Sequence, residues 1–120
     1  MPRSLLAYLA DVVDACEAIE RYMAGVDLDA YRANDLTRSA VERQLITIGE
    51  AIGSLLRLEP GLAGQIAHAR RIVDFRNQLA HDYAAVNDAV VWAITVDEVP
   101  MLHRECKAIL LARSSSGGAG

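Results

Sequence analysis

Within the stretch Arg70 to Tyr83 sit an arginine and a histidine five residues apart, Arg76 and His81. Histidine gives or takes a proton near neutral pH. Arginine presents a fixed fork of donors matched to phosphate or carboxylate oxygens. By spacing alone the pair is a weak signal. A solvated helix end, with ion pairs to Asp74 or Asp82, explains it equally well. Asn77 and Tyr83 lie beside them, and Tyr83 falls seven residues after Arg76, on roughly the same helical face. Other candidates are Glu50 after Gly49, and the His68, Arg70 and Arg71 cluster, which reads as an extended basic rim or an ordinary solvated face. His103 has no companion ligands, and no His, Cys or carboxylate grouping reads as a metal site. No glycine-rich phosphate loop appears, so no cofactor is expected.

The elements that must position these residues are helices. The chain has 120 residues, 52% hydrophobic and 23% charged, enough for one domain with its own core. Aromatics are only 5%, so the core must come from Leu, Ile, Val and Ala. Leu5, Leu9, Val12, Cys16, Ile19 and Met23 alternate at four and three, which predicts a helix over 4–24 closed by Gly25. A short helical turn is expected near 30–32. The stripe Val41, Leu45, Ile48, Ile52 and Leu55 predicts a second long helix over 37–58. Thr37 or Asp35 is a candidate cap, and Ser39 with Glu42 has capping-box spacing. Gly49 and Gly53 beside that stripe would let another helix approach closely. Pro60-Gly61 ends it, with a brief turn over 62–67.

A third helix should run from His68 to His81 or Tyr83, burying Ile72, Phe75 and Leu79. A fourth begins at Asn87, and Thr95 with Glu98 has the spacing to open a last helix holding Pro100 in its first turn. That helix should reach Arg113. Residues 114–120 are Ser/Gly-rich and expected to be a flexible tail, leaving 1–113 as the domain. No period-two alternation predicts a strand. The expected fold is all-α, an up-down bundle of four to five helices.

A net charge of −4 argues against coating nucleic acid by bulk charge and leaves room for a small local phosphate site. Cys16 and Cys106 read as buried thiols. No apolar run is long enough to cross a bilayer, and no signal peptide is recognised, so a cytoplasmic location is expected.

The segment Arg76-Asn77-x-Leu79-x-His81-Asp82-Tyr83 resembles the Arg-x4-His-x-Tyr signature of the HepT-like toxins, a branch of the HEPN ribonuclease superfamily. The resemblance extends to Leu6-x-Tyr8-Leu9-x-Asp11, to Ala40-Val41-x-Arg43-Gln44-Leu45-x-x-Ile48-Gly49-Glu50-Ala51, and to Asp88-x-Val90-Val91-Trp92-x-Ile94 with Val99-Pro100. It implies a metal-independent endoribonuclease toxin. His81 would be the general acid or base and Arg76 the stabiliser of charge on the phosphorane formed when a ribose 2′-OH attacks its own phosphorus. Asn77, Arg71 and Glu50 would bind or orient the RNA substrate. One motif carries one histidine, and residues five apart on an ideal helix point roughly 140° from each other. Both difficulties ease if the helix ends near Ala80 and the chain is a two-fold homodimer, which brings two copies of the motif to one cleft. The resemblance implies that same composite site. It also implies a partner, a minimal nucleotidyltransferase antitoxin that attaches AMP to Tyr83. The competing reading is a non-catalytic helical module that helps a nucleotidyltransferase bind its substrate.

Overall fold

The computed structural model describes residues 3–81 and 86–119, with side chains as far as Ser115. It is an all-α bundle. Its helices are α1 (Leu5–Met23), α2 (Leu28–Ala33), α3 (Asp35–Leu58), α4 (Ala69–His81), α5 (Asp88–Asp97) and α6 (Val99–Ala119), with a 3-10 turn at Pro60–Gly64.

Local chemistry sets the ends. Ser4 caps α1 by accepting from the Ala7 amide at 3.1 Å. The helix closes at Gly25, whose φ of 72° suits a residue without a Cβ. Asp27 caps α2, accepting from Ala30 at 2.8 Å. The start of α3 differs from expectation. Asn34, in extended backbone at φ −121°, is the cap, and its side chain accepts from Thr37 at 3.1 Å. Thr37, Asp35 and Ser39 therefore lie inside the helix. Asn87 caps α5, as expected.

The α5–α6 junction also differs. Only Glu98 separates the two helices, so Thr95 sits within α5, and its hydroxyl donates back to the Trp92 carbonyl at 2.7 Å. Glu98 is buried and turns its carboxylate to Arg71 at 3.4 Å instead of closing a capping box. At the far end α6 continues as helix to Ala119, beyond the expected end at Arg113.

The core is aliphatic, as the low aromatic content requires. Leu9, Val12, Cys16 and Ile19 from α1 meet Val41, Leu45, Ile48, Ile52 and Leu55 from α3, and Leu102, Cys106 and Ile109 from α6. Burying such side chains stabilises by about 1.5–3 kcal/mol each. Trp92 is only half-buried and donates its indole N–H to the Val26 carbonyl at 3.2 Å. Ion pairs fasten the periphery. His103 on α6 lies between Glu17 and Glu20 of α1, at 3.1 and 3.0 Å. The Arg113 guanidinium grips Glu59 at the end of α3 with both Nη atoms.

For the candidate site the relevant contact is α4 against α3. Ile72 and Leu79 are buried there, as the third stripe predicts, whereas Phe75 is only half-buried. Among the described residues no helix is long and apolar enough to cross a membrane.

Candidate functional site

Arg76 projects from the middle of α4 onto α3. Its seat is Gly49. A Cβ at that position would stand 2.1 Å from the Arg76 Cβ and 2.5 Å from its Cγ, so only glycine leaves space for the arginine stem. One residue on, Glu50 accepts from Arg76 Nη2 at 2.9 Å. Asn77 accepts from Nη1 at 3.0 Å. The Arg76 Nε is buried and has no partner among the described residues. The guanidinium is thus held on two sides, partly shielded from water, with one donor still unmet.

Around it lies a groove of about 380 Å³ between α3 and α4, bounded by Gly49, Glu50, Gly53, Ser54, Arg57, Val73, Arg76 and Asn77. Glu50 also borders a second recess of about 530 Å³ toward the start of α3, with Glu42, Arg43, Thr47 and Leu79. Burial, reinforced by the nearby Asp88 charge, raises the Glu42 carboxyl above its ordinary range.

His81 is the last residue of α4 and is exposed. α4 does not end near Ala80 as expected but is helix through Ala69–His81, so Arg76 and His81 point about 140° apart. His81 instead continues the exposed face of Arg70, Asp74 and Asn77, spaced four, three and four. Asn77 connects the two faces: it accepts from Arg76 and stands one turn before His81. Asp82 and Tyr83 lie outside the described residues.

The structure therefore brings together Arg76, Asn77 and Glu50. It places His81 at the exposed end of the same helix. Arg71 stands elsewhere, on the opposite side of α4 from the groove, against Glu98 at 3.4 Å, where the His68 Nδ1 also approaches to 4.0 Å. Two polar groove residues escaped the sequence reading, Ser54 and Arg57. Their signal was the heptad Arg43, Glu50, Arg57, with Thr47 and Ser54 between, which forms one polar face of α3. Among the described residues no group of three His, Cys, Asp or Glu is arranged to hold a metal ion.

Chemically, a partly exposed guanidinium in a groove suits the oxygens of a phosphate. An exposed imidazole suits proton transfer to a molecule lying across the end of α4.

Comparison with known proteins points the same way. The family model described as "Ribonuclease HepT-like" matches residues 12–109. A Caldanaerobacter subterraneus subsp. tengcongensis protein provisionally named an RNase is 26% identical over 103 residues, covering 86% of this chain and 91% of that one. A Thermococcus cleftensis protein named a probable ribonuclease HepT is 30% identical over 106 residues, 85% of this chain and 92% of that one. A provisionally named RNase of Methanocaldococcus jannaschii is 26% identical over 111 residues, 89% of this chain and 97% of its own. No solved structure gives a significant match.

Proposed function

This chain belongs to the HepT-like ribonuclease family, and we propose that it is a HEPN-type ribonuclease that cuts RNA without a metal ion, at a site built by two copies of the chain. The observation that carries the proposal is the treatment of Arg76. A bare glycine seats it, a carboxylate and an amide orient it, and about a quarter of its side chain stays exposed.

The reaction follows from these groups. One imidazole withdraws the proton from a ribose 2′-OH as the oxygen attacks the adjacent phosphorus. Arg76 stabilises the extra negative charge of the phosphorane. A second imidazole gives a proton to the departing 5′-oxygen. The products are a 2′,3′-cyclic phosphate and a 5′-hydroxyl. In one chain His81 faces away from Arg76, and one histidine cannot serve as base and acid together. A two-fold contact through the exposed end of α4 supplies the second His81 and closes the angle between the faces.

We further propose that the enzyme acts as a toxin held in check by a nucleotidyltransferase antitoxin, with Tyr83 as the residue that accepts AMP. Support comes from the Arg-x4-His-x-Tyr motif alone. A phosphate joined to Tyr83 would add negative charge and bulk next to the motif and oppose RNA entry. Intact-mass measurement after co-expression with the antitoxin should show one added AMP, lost in Tyr83→Phe.

The nuclease chemistry is tested with an oligoribonucleotide carrying one 2′-deoxy position. In EDTA the parent RNA should be cut to a cyclic phosphate end. A 2′-deoxy substitution at the cleaved nucleotide should abolish that cut. Cleavage of the deoxy substrate at the same bond would exclude 2′-OH attack.

A further inference from the structure

Arg57 and Arg76 enter the same groove from opposite helices, and each lies beside a glycine of α3. Arg76 rests against Gly49. One turn on, a Cβ at Gly53 would meet the Arg57 Nη1 at 3.6 Å. Arg57 therefore folds back along its own helix, with its guanidinium over bare backbone on the groove side. Ser54 fixes it there, its Oγ accepting from Nη2 at 2.9 Å. Unlike Arg76, Arg57 has no carboxylate partner among the described ion pairs, and neither does Arg70.

Past Arg57 the groove opens into a recess of about 420 Å³ bordered by Arg57, Pro60, Arg70, Val73 and Asp74. Arg57 borders both recesses, so the order along the groove is Arg76, Arg57, Arg70. Three guanidiniums against the carboxylates of Glu50 and Asp74 leave the furrow net positive on a chain of net charge −4, a local anion path. Among the described residues no aromatic side chain lines either recess.

We propose that this furrow carries the backbone of single-stranded RNA, with Arg57 and Arg70 holding phosphates that neighbour the scissile one at Arg76. The inference rests on the ribonuclease reading and names its substrate path. A furrow along the line between two packed helices offers phosphate contacts to one backbone, and guanidiniums read that backbone and tolerate many sequences there.

The test uses full-length His81→Ala protein, which holds RNA without cutting it, and a fluorescent single-stranded oligoribonucleotide of mixed sequence. Dissociation constants are measured over a salt series. Arg57→Ala and Arg70→Ala should each weaken binding about tenfold at low salt. Each should also reduce the slope of log K against log salt by about 0.7. Arg57→Lys should restore most of the slope. Arg104→Ala, on the exposed surface of α6, should bind as the parent does. Both groove arginines are exposed, so the variants should keep the parental melting temperature. If Arg57→Ala matches the parent in affinity and slope while the parent binds and the active enzyme cuts RNA, the path is wrong and the nuclease stands. If the active enzyme neither binds nor cuts RNA, both fall together. Tighter binding of duplex than of single strand would also overturn the proposal.

Discussion

Gly49 and Arg76 are in contact at the level of their backbones: a Cβ on the glycine would stand 2.1 Å from the Cβ of the arginine. Neither atom can rotate away, because both are fixed to helices. The distance between α3 and α4 is therefore set at the residue proposed to stabilise the transition state.

Gly49→Ala should accordingly injure both stability and activity. Alanine is the better helix former by roughly 1 kcal/mol, which works in favour of the variant. The overlap can be relieved only by parting α3 from α4, at a cost of about 1–3 kcal/mol. A net fall in melting temperature is expected, together with loss of cleavage. Equal melting and equal cleavage would show that the helices separate freely there.

Glu50 should behave differently. It is more than half exposed, and exposed pairs contribute about 0–1 kcal/mol, so Glu50→Ala should melt close to the parent. Its task is to hold the guanidinium. Freed, Arg76 should lose alignment, and kcat should fall roughly tenfold. Glu50→Gln keeps an acceptor and should recover most of that loss. An unchanged kcat in Glu50→Ala would assign the orientation of Arg76 to Asn77 and Gly49 alone.

The buried thiols predict an alkaline limit to stability. Burial pushes Cys106 up to about 12, aided by the Glu105 charge, and raises Cys16 further by burial together with Cys106 and nearby carboxylates. In the unfolded chain both ionise near 8.5. Below that value both states hold the protons and nothing is lost. As pH rises from about 8.5 toward 12 the unfolded chain releases protons that the folded chain retains, so stability must fall. Denaturant titrations across this window should show the decline, and Cys106→Ala should make it shallower. A thiol reagent at pH 8 should leave the folded protein unlabelled. Rapid labelling of both cysteines in native buffer would contradict their burial.

Much of this was legible in the sequence because apolar spacing dictates which faces pack. The stripes from Leu9 to Ile19 and from Val41 to Leu55 are buried as read. The closeness of α3 and α4 was readable from Gly49 and Gly53, since a small residue on a packed face implies approach. Caps were harder. Asn34, Asp35, Thr37 and Ser39 all offer a capping oxygen, and only the extended backbone at Asn34 decides among them. Thr95 and Glu98 had the right spacing for a box but the wrong surroundings, because α5 runs almost directly into α6. By sequence Arg71 reads as a substrate-binding cation on the same helix as Arg76. A rotation of about 140° sends it to Glu98 instead. Arg57 lay on a readable polar face of α3, but its place in the groove comes from a folded-back side chain, and rotamers are not written in residue spacing.

The central claim is that Arg76 and His81 from paired chains act on one phosphodiester. The most direct measurement compares cleavage of RNA by the parent and by purified His81→Ala, in EDTA, with both shown to be dimeric and equally folded. His81 is exposed and terminates its helix, so the variant should keep its structure. The account predicts cleavage by the parent and none above background by His81→Ala, with Arg76→Ala equally inactive. Cutting by His81→Ala at the parental rate would contradict it.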